Sequence, residues 1–147
     1  MCIDMLLFSV CDKYYAIPAA KIVRVLWALE ITPVPKSSKI LYGVFDLHGK
    51  MLPVISLREL LSLPKKEIAL EDSLIILTVH LHQIALLVDH TVGVFKLDEE
   101  DSSEAEELFK EFSTTHIVKY EERLIPVLDI DALIDSELIR RVADVDD

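Results

Sequence analysis

The chain has 147 residues, of which 52% are hydrophobic and 28% charged, with a formal net charge of −11. That balance excludes a disordered chain, and so acidic a surface repels phosphate backbones and anionic lipid, which argues against nucleic acid or a membrane surface as partner. No apolar run approaches the roughly 20 residues that a bilayer-spanning helix needs, and the first residues, MCIDMLLFSVCDK, lack the basic start of a secretion signal.

Residues 5–10 (MLLFSV) read as a buried strand, 11–13 as a polar turn, and 14–18 (YYAIP) as the returning strand, closed by a proline that lacks a ladder donor. After a helical turn at 19–21 comes a β-branched strand at 22–27 (IVRVLW). The proline-rich stretch 32–38 is extended, because residues before proline avoid helical backbone. Two strands at 41–47 and 50–56 flank a turn at His48-Gly49, followed by a short helix at 57–63 that Pro64 stops. The charged stretch 65–72 is a connector. Strands follow at 74–79, 83–88, 93–97, 115–119 and 123–129. Between the last three, Asp101-Ser102-Ser103 with Glu106 forms a capping-box pattern, and Leu108 and Phe112 lie one turn apart, so 103–112 reads as an acidic amphipathic helix. Residues 132–142 have a helical pattern, and 144–147 should fray.

The stretch 43–61 (GVFDLHGKMLPVISLRELL) recurs at 117–134 (IVKYEERLIPVLDIDALI), with Pro53 matched by Pro126. A repeat on that scale predicts two similar halves of five strands. Closure of each removes exposed edges, so the expected fold is mostly β, with a first barrel in 1–65, a second in 73–134, and a C-terminal helix and tail in 135–147. Prolines inside apolar strands predict an edge or a bulge at Pro53 and Pro126.

Catalytic patterns are absent from the sequence: there is no G-x-S-x-G elbow, no glycine-rich phosphate loop and no H-E-x-x-H. His80 and His82 would share a face if strand-borne and offer two metal ligands, with no third in evidence. Asp46, Asp89 and Asp129 each end an apolar strand. Cys2 and Cys11 fit a reducing compartment, leave one disulfide open between them, and are too few for a structural zinc site. A metal-dependent enzyme around His80 and His82, or a self-associating module, are the alternatives to the reading below.

Four motifs together resemble the CheW-like domain: the Tyr-Ile-Ile-Val spacing over 15–25, Thr-Pro-Val-Pro at 32–35, GVFDLHGKMLPVISLR at 43–58 and IALLVD at 84–89, with a weaker match over 123–133. The resemblance spans about 6–133. It implies two SH3-like five-stranded β-barrels, no catalytic residues, cofactor or metal, and a cytoplasmic adaptor. Such an adaptor joins the helical cytoplasmic tip of chemoreceptors to the regulatory domain of the histidine kinase CheA. Carried over position by position, receptor contacts fall on Ile22, Val23, Arg24 and Val25, on Gly43 and His48, and on Thr91 and Val94, around a groove expected at the junction of the barrels. Kinase contacts fall on barrel ends around 74–89. Where the family has Asn-Leu-Arg-Gly, this chain has Asp46-Leu47-His48-Gly49.

Overall fold

Four two-residue turns fold most of the chain into hairpins. The computed structural model describes residues 2–28, 31–33, 40–69, 71–98, 102–104 and 114–135. Within it Cys11-Asp12, His48-Gly49, His80-Leu81 and Glu121-Glu122 hold positive φ at both turn positions. Paired positive φ is type I′ geometry, whose twist matches that of the flanking strands. These turns join β1 (Cys2–Val10) to β2 (Lys13–Pro18), β4 (Leu41–Leu47) to β5 (Lys50–Ser56), β6 (Ser73–Val79) to β7 (His82–Val88), and β10 (Thr114–Tyr120) to β11 (Arg123–Leu128). Three of the four do so without glycine, holding side chains in a backbone region that costs about 1–2 kcal/mol per residue. Strands β3 (Ile22–Trp27), β8 (His90–Asp98) and β9 (Ser102–Glu104) complete the set.

The strands form a five-stranded sheet, β3-β6-β7-β5-β4, and a six-stranded sheet, β8-β1-β2-β11-β10-β9. This corrects the expected division into a barrel from 1–65 and another from 73–134. Each half lends its first hairpin to the other: β1–β2 sits among β8, β10 and β11, and β6–β7 sits among β3, β4 and β5. The crossing pairs are the parallel ones, β5 with β7 at Val54–Ala85 to Ser56–Leu87, and β2 with β11 at Ala16–Val127. A sequence repeat reports the order of strands along the chain, not the strands they pair with, so the exchange left no mark on it.

Pro53 and Pro126 were expected at an edge or bulge. Both lie in interior strands, paired with Val44 and Ile117, one residue before the parallel pairing to the exchanged hairpin begins and beside an irregularity in the antiparallel partner strand. The two outer strands of the five-stranded sheet come back toward each other: Thr32 exchanges backbone hydrogen bonds with Val44 at 2.9 and 2.8 Å, and Arg24 Nη1 on β3 lies 3.3 Å from His48 Nε2 on the turn after β4.

Strand alternation sorts the core into three parts. Ala28, Leu52, Val54, Leu74, Ile76, Ala85 and Leu87 fill the five-stranded barrel. Met5, Leu7, Ala16, Phe95, Val118, Ile125 and Val127 fill the other. The third part lies between the sheets and draws Leu6, Phe8 and Val10 from β1, Ile75, Leu77 and Val79 from β6, and Ile84, Leu86 and Val88 from β7. These three strands are therefore buried on both faces, which is why they read as unbroken apolar runs rather than alternating ones. The chain's own side chains pack the junction of the barrels.

Two short helices close this junction. Helix α1 (Leu57–Leu60) is capped by Ser56, whose Oγ accepts from Glu59 N at 3.4 Å. It stops sooner than the predicted 57–63, because Leu63 N turns back to Arg58 O at 2.7 Å and Ser62 takes φ 56°. Helix α2 (Ile130–Leu133) is capped by Asp129 and ends before an extended Ile134, so the helix predicted from 132 does not continue through 134–135. The predicted helix at 103–112 meets a different outcome at its start: Ser102–Glu104 is a strand whose Ser103 pairs with Ile117 of β10. Ladder bonds there outweigh the local capping signal. Residues 105–112, the rest of the predicted C-terminal helix from 136, and the tail lie outside the described residues.

Candidate protein-interaction site

Two edge strands carry part of the exposed apolar surface. β3 ends the five-stranded sheet and β8 ends the six-stranded one. On β3, Val25 and Trp27 stand two residues apart on one face and are 39% and 59% exposed, and Val23, at the bulge, is 50% exposed. On β8, Val92 and Val94 are 52% and 63% exposed. Ser73 of β6 links the two strands: it pairs with Trp27 of β3, and its hydroxyl lies 3.5 Å from that of Thr91 on β8. A β-bulge between Ile22 and Arg24 interrupts the pairing of β3, which discourages an open edge from extending its ladder onto another chain. The result is an apolar rim beside a filled junction.

The residues singled out in sequence separate into two groups. Val25, Val94 and half-buried Thr91 stand on the rim, and Arg24 and His48 are exposed and in contact. Ile22 is half-buried and packs on the core between the sheets. Gly43 is buried, and a Cβ there would fall 2.4 Å from Thr32 O. Its role is to let the Thr32 backbone approach β4, so it offers no surface to a receptor. Trp27 was missed: it was read only as a strand member, although its i, i+2 relation to Val25 and Val23 was visible. Val92 was likewise not singled out.

The strand-ending carboxylates are structural. Asp46 Oδ1 accepts the Gly49 N–H at 2.8 Å and fixes the β4–β5 turn. Asp129 caps α2 through Ala132 N at 3.3 Å. Asp89 is gripped by Arg58, whose Nε donates to Oδ1 at 3.0 Å and whose Nη2 donates to Oδ2, while the Cys11 N–H donates to Oδ2 at 2.9 Å. Arg58 Nη1 also donates to Pro64 O at 2.7 Å. One carboxylate thus ties β7, α1 and the β1–β2 turn together, joining the two sheets. Burial pushes the Asp89 carboxyl up, but the hydrogen bonds from Arg58 and Cys11 and the charges of Arg58 and Lys66 outweigh it and hold it below the ordinary carboxylate range. A depressed folded-state pKa contributes stability that is present above the unfolded value, about 3.9, and lost as pH falls through the folded one. Asp89→Asn should therefore lower stability by about 2 kcal/mol at pH 7, with the gap to the native chain shrinking below about pH 4. Thermal melts of both proteins across pH 2–8 check it.

A cavity of about 100 Å³ adjoins this clamp, lined among others by Tyr42, Lys66 and Asp72. Lys66 Nζ already pairs with Asp72 Oδ2 at 2.6 Å, and Arg58 with Asp89, so its charges are occupied within the protein. His80 and His82 do not act as a strand pair: His80 stands in the turn with φ 49°, its Nε2 2.9 Å from Asp131 O, and only His82 opens β7. Among the described residues no three His, Cys, Asp or Glu side chains gather as a metal site. Cys11 is half-buried and carries no disulfide.

The family model for the CheW-like domain matches residues 4–138. The chain belongs to the CheW-like domain family. Relatives within it include the chemotaxis protein CheW of Bacillus subtilis, 32% identical over 136 residues covering 90% of this chain and 87% of that protein. The CheW of Thermotoga maritima is 30% identical over 139 residues, covering 93% and 91%. The crystal structure of the scaffolding protein TtCheW from Thermoanaerobacter tengcongensis superposes with a TM-score of 0.85 at 21% identity, over 94% of this chain and 96% of that one. At that identity the likeness speaks for the fold, which is mostly β with two SH3-like subdomains.

Proposed function

We propose that this chain is a non-catalytic chemotaxis adaptor in the cytoplasm, coupling the cytoplasmic tips of methyl-accepting chemoreceptors to the regulatory domain of the histidine kinase CheA. The observation that carries the reading is the exposed rim of β3 and β8, five apolar side chains on two edge strands, in a family member matched over nearly its full length. A receptor tip is a helical bundle, and helices dock by laying an apolar ridge against an apolar surface. Val25, Trp27, Val92 and Val94 receive that ridge, with Thr91 beside them and Arg24 and His48 at the end of β3. The kinase domain takes a barrel end. Nothing in this division of labour requires bond chemistry: the chain works by holding two proteins in one assembly. It reaches the membrane through the receptors, since no described helix is long and apolar enough to cross one.

Isothermal titration of the full chain with a receptor hairpin tip, and separately with the kinase regulatory domain, tests the proposal. Saturable binding to each is expected. Heat-silent mixtures with both partners, verified by co-sedimentation, would remove the adaptor role.

A further inference from the structure

We propose that Arg24 and His48 form a proton-sensitive latch between the outer strands of the five-stranded barrel, which holds the exposed edge of β3 when the His48 ring is neutral and releases it when the ring is protonated. The inference deepens the adaptor role and takes the β3–β8 rim as its receptor face.

Sheet order leaves β3 and β4 as the outer strands of this sheet. The backbone pair of Thr32 with Val44 draws them together at one point. The 3.3 Å contact of Arg24 Nη1 with His48 Nε2 does so at the turn after β4. Arg24 stands between Val23 and Val25, both exposed, and follows the bulge that interrupts the pairing of β3 with β6. Beyond it Val25, Leu26 and Trp27 pair in unbroken register with Ile75, Leu74 and Ser73. The start of β3 thus has an interrupted ladder, and a bulge leaves its extra residue unpaired. There the side-chain contact to His48 adds a tie that the ladder lacks.

The chemistry of the contact sets its condition. A guanidinium has only donors, so His48 Nε2 must offer a lone pair. Only a neutral ring with its proton on Nδ1 can do so. A protonated ring carries N–H at both nitrogens and sets a second cation against the guanidinium. Among the described residues no carboxylate lies within ion-pair distance of Arg24. Asp46 and Lys50 flank His48 on its own hairpin. Asp46 Oδ1 is engaged by the Gly49 N–H at 2.8 Å, and Lys50 Nζ donates to Gln83 Oε1 on β7 at 3.4 Å. β5 and β7 run parallel, so the β6–β7 turn lies alongside and brings His80, whose Nε2 is 2.9 Å from Asp131 O, and His82. Lys21, just before β3, pairs with Asp131. Both acids of this set, Asp46 and Asp131, are therefore engaged elsewhere. A histidine ordinarily changes charge between about pH 5 and pH 8. The contact is complete on the alkaline side and lost as pH falls, and an edge that its partner must order binds more weakly than one already held.

Nitrogen NMR of the free, full chain reads the first part of the proposal. At about pH 8 the His48 proton should sit on Nδ1; an Nε2–H tautomer would overturn the latch with no partner present. Isothermal titrations with a receptor hairpin tip between about pH 8 and about pH 5.5 read the second part. His48→Gln offers Arg24 an acceptor at every pH. Across that range the native chain should lose about three- to tenfold more affinity than His48→Gln, which is the worth of one hydrogen bond. Equal pH dependence in the two proteins would place the effect in other groups and overturn the latch. A gain in native affinity on acidification, absent from His48→Gln, would overturn it too, because added charge and not the held edge would then govern. A native chain that binds no receptor tip at about pH 8 would overturn the adaptor role, and the His48 tautomer would still decide whether the latch exists.

Discussion

Replacing Phe8 with alanine should lower the unfolding free energy by about 3–5 kcal/mol and the melting temperature by about 10 °C. Phe8 is fully buried and stacks on Tyr15 with ring centroids 6.1 Å apart. It lies in the core between the sheets, among side chains from β1, β6, β7 and α1. Because β1 belongs to one sheet and β6 and β7 to the other, this core is common to both barrels, and its loss cannot be confined to one. Guanidinium unfolding followed by circular dichroism and by Trp27 fluorescence should give coincident transitions in native chain and variant, both shifted to lower denaturant in the variant. Separate transitions, or a loss under 1 kcal/mol, would mean that the barrels are independent and the exchange of hairpins is not what binds them.

Val94→Asp and Val25→Asp should do the opposite: leave stability within about 0.5 kcal/mol and weaken receptor binding about 10- to 100-fold. Val94 is 63% exposed and Val25 39%, so an aspartate at either site reaches water in the free protein. In a complex the same carboxylate would be buried against an apolar ridge without a partner, which is where the loss comes from. Melting curves with receptor-tip titrations check both halves of the statement. A variant that unfolds would place the residue in the core; one that binds as well as the native chain would take the rim out of the receptor contact.

Much of this arrangement was legible in the sequence, and the gaps have physical causes. The runs at 5–10, 74–79 and 83–88 were readable as strands, the first of them as buried, and burial on both faces is what removes their alternation. The His48-Gly49 turn announced itself through glycine. Cys11-Asp12 was legible as part of a polar turn, whereas His80-Leu81 and Glu121-Glu122 make the same turn without glycine and follow only from the strands on either side. The partners of each strand were beyond reach: Val54 with Ala85 and Ala16 with Val127 are set by which hairpin crosses the junction, and local pattern does not encode that. Gly43 was taken for surface because it stands in a motif, whereas its lack of a side chain serves the backbone of Thr32. Trp27 was overlooked because exposure of an apolar strand residue depends on its being at an edge, and edges are a property of the assembled sheet. Ser102–Glu104 was drawn into a helix by a local cap, and a neighbouring strand decided otherwise.

The central claim is that one chain holds two proteins at once through separate surfaces, the β3–β8 rim and a barrel end. Light scattering on a column-separated mixture of the chain, a receptor hairpin tip and the kinase regulatory domain measures this directly. A single species with the summed mass of all three is the predicted result. Two binary complexes with no ternary peak at any ratio would mean that the partners compete for one surface, and would contradict it.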